Sequence, residues 1–235
     1  MIQIKDLHKT FGKVPVLKEL NLTIKDSGIF AILGPNGSGK TTLIKSILGM
    51  VVPDKGEILI DGKSTKGQWE HRQKINYLPQ IANFPSNLSV IEVIEMIKNI
   101  RNSKTRDGDL VELFKLQPFL NKKLANLSGG TRQKVNIILT FMFDDPILIL
   151  DEPTTGLDPL SLIHLKSLIK EAKEKGKTIL ITSHIMQFVE EISDEIVFLL
   201  DGKIYFKGSV KLLKETYNEQ DLEHAIAALL NVQYD

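Results

Sequence analysis

The sequence predicts an α/β fold with a mainly parallel sheet, an antiparallel β subdomain and an inserted helical subdomain. Short apolar runs alternate with segments of helical periodicity, which is typical of buried parallel strands joined by helices. Strands that alternate in polarity or end in Asp-Gly turns occur near both ends of the chain, as antiparallel hairpins require. The strand pattern lapses between residue 81 and about residue 133, where helical spacing dominates.

The elements follow from these patterns in chain order. The predicted strands are residues 2–7, 20–24, 29–33, 57–60, 75–78, 147–150, 178–182, 196–200 and 204–206. The predicted helices are residues 42–48, 89–100, 110–116, 132–142, 160–175 and 221–231. Ser89 and Glu92 form a capping box, and Asp158 followed by Pro159 marks the start of the longest helix.

Composition excludes several functional classes. The formal net charge is only +1, so a footprint on DNA or RNA is not expected and no nucleic-acid partner is predicted. The chain has no cysteine, which removes disulfides, thiolate metal sites and thiol catalysis. It shows no secretory signal and no apolar run of membrane-spanning length, so a role at a membrane would require another chain.

A glycine-rich loop lies between the predicted strand 29–33 and the helix that follows. Its residues are Gly34, Pro35, Asn36, Gly37, Ser38, Gly39, Lys40, Thr41 and Thr42, which fit the pattern G-x-x-x-x-G-K-[ST]. Successive backbone N–H groups of such a loop, with the helix N-terminus, form an anion cradle. Lys40 is placed to reach the outer phosphates of a nucleotide and Thr41 to bind Mg²⁺. The sequence therefore predicts a P-loop NTPase core.

Two carboxylates end the apolar strand 147–150. Asp151 and Glu152 would lie at the carboxyl edge of the sheet, where open α/β sheets bind ligands. Asp151 suits Mg²⁺ through its water shell, and Glu152 suits activation of the attacking water. The alternative is a strand that runs into solvent with two ordinary surface charges, and the phosphate loop argues against it.

A second candidate anion site is Leu127-Ser128-Gly129-Gly130-Thr131, which precedes a helical pattern. By itself, this segment is equally typical of a capped helix after a turn.

Taken together, these motifs resemble those of an ABC ATPase. They occur in that family's order over about residues 2–208: the phosphate loop, Gln80, Leu-Ser-Gly-Gly at 127–130, Asp151-Glu152, Gly156-Leu157-Asp158 and His184. The Leu-Ser-Gly-Gly element discriminates, because many P-loop enzymes share the loop and the Asp strand. The guanine-reading Asn-Lys-x-Asp motif is absent, which favours adenine and hence ATP.

The resemblance implies a role for each matching residue. Phe11 would stack on adenine, although the family more often has Tyr there and a lone Phe after a strand is more often core. The phosphates and Mg²⁺ would be held by Gly37, Gly39, Lys40, Thr41 and Thr42. Gln80 would contact the metal and the attacking water, Glu152 would be the catalytic base, and His184 would contact the γ-phosphate. The groups provided by a second copy would be Ser128, Gly129, Gly130 and Asp158.

The family also implies partners and a location. Two ATP-binding subunits, expected to be a homodimer, would drive a polytopic membrane subunit from the cytoplasmic, inner face of the cell membrane, with residues 81–92 in the gripping groove. Three features resemble the exporter branch of the family. They are Gly156, residues 221–225, and Thr131 at a position where many importers have Gln. Residues 78–88 and 127–134 are similar to the copper-processing ATPases of nitrous-oxide reductase maturation. A soluble ABC ATPase of an assembly system such as iron–sulfur cluster biogenesis is the alternative, which co-purification would decide.

On this interpretation, residues 1–215 form the nucleotide-binding domain. The helical subdomain would cover about residues 81–142, and residues 216–235 would be a short helical tail.

Overall fold

A six-stranded sheet forms the centre of the computed structural model, which describes residues 1–234. In spatial order its strands are β10 (Lys203–Gly208), β9 (Glu195–Leu200), β3 (Gly28–Leu33), β8 (Thr178–Thr182), β7 (Ile147–Asp151) and β6 (Ile75–Leu78). Neighbours pair in parallel from β9 to β6, and β10 pairs antiparallel with β9. Every residue of β3, β7 and β8 is buried, which explains their nearly continuous apolar sequences.

The register of this sheet brings the functional motifs to one edge. Thr182 of β8 pairs with Ile32 of β3 and with Asp151 of β7, so the carboxyl ends of these three strands lie side by side. The glycine loop follows β3, Glu152 follows β7, and His184 comes shortly after β8. Ligands bind at this edge in open α/β sheets.

A four-stranded antiparallel sheet forms the predicted β subdomain. Its order is β2 (Val14–Ile24), β1 (Ile2–Phe11), β4 (Lys55–Ile60) and β5 (Lys63–Ser64). The turn at Asp61-Gly62 has positive φ at both residues, as a two-residue hairpin of type I′ requires. The inner face of this sheet shares a hydrophobic cluster with β3 and with α1 (Lys40–Ile47).

The inserted region is helical, as predicted. It contains α2 (Val90–Arg101), α3 (Asp107–Leu113) and α4 (Gly129–Phe141), with short 3₁₀ helices at Gln117–Phe119 and Leu124–Asn126. The Ser89–Glu92 capping box is present at the start of α2. The predicted helix 110–116 lies three residues earlier in the chain, because its first turn contains Gly and two Asp residues that usually favour turns.

The remaining α-helices contribute to the main hydrophobic core, which also contains residues of the central sheet. They are α5 (Pro159–Glu174), α6 (Met186–Ile192), α7 (Val210–Tyr217) and α8 (Leu222–Tyr234), and a 3₁₀ helix covers Glu70–Lys74. The sequence pattern did not predict α6 and α7, which are short. Helix α8 buries Leu222, Ala225 and Leu229 in the main hydrophobic core, whereas residue 235, the end of the predicted tail, lies outside the described residues. None of the helices within residues 1–234 combines the length and the apolarity that crossing a bilayer requires.

Candidate active site

The glycine loop is held tightly against the sheet. A Cβ atom on Gly34, whose φ is +145°, would lie 2.0 Å from the carbonyl oxygen of Leu199, so no other residue fits there. The Lys40 ammonium donates hydrogen bonds to the carbonyl oxygens of Gly34 (2.7 Å) and Pro35 (3.0 Å). Burial lowers the pKa of Lys40, and the charges of Glu152 and Asp151 oppose this shift. The loop and its lysine therefore form a compact cationic cradle.

Asp151 is a buried carboxylate held by both neighbouring strands. Its Oδ1 atom accepts a hydrogen bond from the Thr182 hydroxyl on β8. On the other side lies Tyr77 of β6: burial, followed by the charge of Asp151, raises the pKa of Tyr77 to about 12. Tyr77 thus stays neutral at physiological pH, and the Thr182 hydroxyl orients the Asp151 carboxylate.

Glu152 is turned into the cleft by an unusual backbone conformation. Its φ is +50°, a region that costs a non-glycine residue about 1–3 kcal/mol and that often occurs at functional sites. The Glu152 N–H donates to the carbonyl oxygen of Thr182 (3.1 Å), which holds this conformation. The Oε2 atom of Glu152 lies 2.8 Å from Nδ1 of His184, and that ring is largely exposed. The pair can orient a water molecule and move a proton.

These groups line one open cleft of about 730 Å³. The predicted residues that line it are Gly34, Asn36, Gly37, Gly39, Lys40, Thr41, Thr42, Gln80, Asp151, Glu152 and His184. Pro35 and Ser38 belong to the same loop, but Ser38 is buried beneath it. Val14, Val16 and Ser183 also line the cleft and were missed, because valines in a strand and a serine after one carry no distinctive signal.

Phe11 lies beside this cleft rather than in its lining. It pairs with Val14 across the β1–β2 hairpin, and its ring is 50% exposed, so the alternative of a core phenylalanine is wrong. The Lys9 ammonium lies 5.2 Å from the ring centroid. The hairpin thus offers an exposed apolar surface next to the valine side of the cleft.

The Ser128–Gly130 segment lies on a different surface. Ser128 caps α4, its Oγ atom accepting a hydrogen bond from the Thr131 N–H (3.3 Å). Gly129 and Gly130 line a separate groove of about 470 Å³, together with Ile81, Phe84 and other residues of the inserted region. Gln80 lines both the groove and the cleft, so it is placed to couple them.

Asp158 is engaged within its own chain. Its carboxylate caps α5 by accepting from the Ser161 N–H (2.9 Å), and it forms an ion pair with Lys134 of α4 (2.7 Å). The Lys134 contact, followed by the Ser161 hydrogen bonds, lowers the pKa of Asp158 well below its usual value. Asp158 therefore joins α5 to α4, and its contact across a dimer interface remains a prediction.

Comparisons with known proteins agree with this geometry. The sequence profile of the family described as "ABC transporter" matches residues 17–155. The lantibiotic transport ATP-binding protein SrtF of Streptococcus pyogenes is 32% identical over 94% of this chain and 98% of its own length. The ABC transporter ATP-binding protein NatA of Bacillus subtilis is 30% identical, with 98% of both chains covered.

Solved structures show the same fold. An ATP-binding subunit of an ABC transporter superposes with a TM-score of 0.91 at 28% identity, covering 98% of this chain and 99% of the other. A dimeric post-hydrolysis state of an ATP-binding cassette with ADP and Pi has a TM-score of 0.80 at 27% identity, covering 89% of this chain and 99% of the other. These findings confirm the fold and the family resemblance, and the chain belongs to the ABC transporter family, as an ATP-binding and ATP-hydrolysing motor subunit.

Proposed function

We propose that two copies of this chain close around ATP, so that each site combines the cleft of one copy with the Ser128–Gly130 segment of the other. The observation that carries this proposal is the separation of the two halves: the glycine loop, Glu152 and His184 share one cleft, and Ser128–Gly130 lie outside it. A solved cassette with ADP and Pi is a dimer, which supports a site formed by two copies.

Within one such site, the chain's own residues provide positioning and charge. Lys40 and the loop N–H groups hold the phosphates, and Phe11 with Val14 offers an apolar surface for adenine. Glu152 accepts a proton from the water whose oxygen attacks the γ-phosphorus while the bond to the β–γ bridging oxygen breaks, which yields ADP and phosphate. His184, 2.8 Å from Glu152, orients that carboxylate and contacts the γ-phosphate.

Mg²⁺ fits the donor set of this cleft. Thr41, Gln80 and Asp151 provide a hydroxyl, an amide and one carboxylate, and Mg²⁺ is usually held by one or two carboxylates together with substrate phosphates and water. The ion, when bound, would neutralise charge that develops on the phosphate oxygens.

The groove lined by Ile81 and Phe84 is the proposed site for a polytopic membrane subunit, which would place the chain on the cytoplasmic face of the membrane. Ile81 is 74% exposed and lines the groove together with Phe84, so the two side chains present adjoining apolar surface to a partner. Relatives named for lantibiotic transport and Nod factor export support an export role. A copper-related role has support only from the resemblance of residues 78–88 and 127–134.

The division into a domain of residues 1–215, with its helical subdomain at about 81–142, and a tail of residues 216–235 also stays a proposal. The burial of α8 in the main core favours a tail that is folded onto the domain.

The test of two-copy closure uses Glu152→Gln, which keeps the shape of the side chain and removes its basic carboxylate. With ATP and Mg²⁺ this variant should elute as a dimer in size-exclusion chromatography with light scattering, and without ATP as a monomer. The double variant that adds Lys40→Ala is the control and should stay monomeric. Only monomer for Glu152→Gln with ATP would contradict the proposal.

The test of the membrane partner is co-purification. Tagged chain extracted in mild detergent should retain a polytopic membrane protein, and Ile81→Glu should release it while ATP binding is unchanged. Retention of a soluble assembly factor instead would favour the alternative class of ABC ATPase.

A further inference from the structure

The hydroxyl of Thr131 has no role in the site described so far. Thr131 lies in the first turn of α4, half-buried, with its Oγ1 atom 2.8 Å from the Oγ atom of Ser128. Its backbone N–H donates to the same Ser128 oxygen. Within residues 1–234, Thr131 Oγ1 makes no other hydrogen bond, so nothing in the chain competes for its proton.

We propose that Thr131 is a positioning residue that sets the direction of the Ser128 hydroxyl toward the γ-phosphate of ATP held by a second copy. The inference rests on the proposed two-copy closure. Residue 131 is a position where this chain has Thr and many importers have Gln.

The argument follows from the hydrogen-bonding capacity of a hydroxyl, which has one donor and two acceptor sites. Ser128 Oγ accepts from the Thr131 N–H as the helix cap. When Ser128 Oγ also accepts the Thr131 hydroxyl proton, both of its acceptor sites are occupied by Thr131. The single Ser128 proton is then directed outward, toward the exposed face of the segment. A phosphate oxygen needs that proton, because it is an acceptor.

The opposite direction of the hydrogen bond between the two hydroxyls would not favour phosphate binding. If Ser128 donated to Thr131, its exposed side would present a lone pair, which an anionic phosphate repels. A phosphate that accepts from Ser128 therefore favours donation by Thr131, and hydrogen bonds in such a chain strengthen one another. Thr131 acts only through Ser128 and does not itself touch the nucleotide.

The experiment compares dimers formed with ATP and Mg²⁺ in the Glu152→Gln background. Thr131→Val is nearly isosteric, retains the backbone N–H that caps the helix and has a similar helix propensity, but it lacks the hydroxyl. We expect its ATP-dependent dimer to dissociate at about tenfold higher protein concentration, since each of the two sites loses the hydroxyl that orients the Ser128 proton and strengthens its bond to phosphate. Thr131→Ser restores the hydroxyl and should return the dissociation constant to within about twofold of the parent.

Two further measurements separate positioning from folding. Binding of a fluorescent ATP analogue to dilute monomer should be equal in all three proteins, because the monomer cleft does not contain Thr131. Their Tm values should differ by no more than about 2–4 °C, the effect of one hydrogen bond in a chain of this size. In the background with Glu152 intact, Thr131→Val should lower kcat and Thr131→Ser should recover it.

The outcomes distinguish the inference from the function on which it rests. An equally tight dimer for parent and Thr131→Val overturns the inference and leaves two-copy closure intact. Failure of Thr131→Ser to recover the dimer also overturns it, since the hydroxyl would then not be the active group. A parent that forms no dimer with ATP refutes two-copy closure itself and the inference with it.

Discussion

Gly130→Ala tests the contact between the Ser128–Gly130 segment and the loop before α5. A Cβ atom on Gly130 would lie 2.5 Å from the carbonyl oxygen of Gly156, a distance that real Cβ atoms essentially never show. Reaching an ordinary contact of 3.4 Å requires the two backbones to separate by about 0.9 Å. Rotation of a side chain cannot relieve this clash, because the oxygen belongs to the backbone and the position of the alanine Cβ atom is fixed by its own backbone.

The expected result has two parts. Overpacking of this kind costs about 1–3 kcal/mol of unfolding free energy, and each kcal/mol lowers Tm by about 2–4 °C in a chain of this size. The start of α4 also moves, and a displacement near 1 Å costs about 10²-fold in a rate that depends on alignment. We therefore expect a roughly hundredfold lower kcat, with binding of a fluorescent ATP analogue to the monomer unchanged.

The adjacent Gly129 provides the matched control. A Cβ atom there meets nothing within 4 Å, so Gly129→Ala should keep or slightly raise Tm, since alanine is the better helix former. Thermal unfolding without nucleotide isolates the contact within one chain, and steady-state phosphate release gives kcat. If Gly130→Ala had the kcat and the Tm of the wild type, the expected clash with the Gly156 carbonyl oxygen would be refuted.

Three further perturbations address the cleft and its supports. Lys40→Ala should abolish ATP hydrolysis and weaken nucleotide binding in calorimetry, because it removes the ammonium of the cradle; full activity would be incompatible with the site. Tyr77→Phe should raise the Mg²⁺ concentration at which turnover is half-maximal, since Asp151 loses its polar neighbour on β6, and an unchanged titration would exclude this support. Asp158→Asn keeps a helix cap but loses the ion pair with Lys134. Because the folded pKa of Asp158 lies below the unfolded value of 3.8, its stabilisation is present above about pH 4 and lost as pH falls further. At neutral pH, urea unfolding should therefore give the wild type a free energy of unfolding at most about 1 kcal/mol above that of Asp158→Asn, because the ion pair is partly exposed. This difference should shrink below pH 4, and a difference that does not depend on pH would contradict the link between the Asp158 pKa and stability.

Local patterns predicted most of the fold. The predicted strands all occur, because buried parallel strands need continuous apolar residues and hairpin turns need residues such as Asp61-Gly62. The start of α3 was displaced because Asp107 and its neighbours favour turns in isolation; in the fold, Asp107 accepts from the Thr105 hydroxyl (2.5 Å) and forms an ion pair with Lys98 (3.3 Å). Helices α6 and α7 were missed because so few turns carry little periodicity and their burial depends on the sheet beneath them.

The sequence by itself determined the family, the fold and the groups that do chemistry, because each motif is local: the residues from Gly34 to Lys40 build one cradle, and Asp151 and Glu152 end one strand. Only the tertiary structure decided which motifs meet. It brought His184 to Glu152 and Gly130 against Gly156. The physical reason is that these relations depend on strand register and helix packing between segments distant in the chain, which no local pattern records.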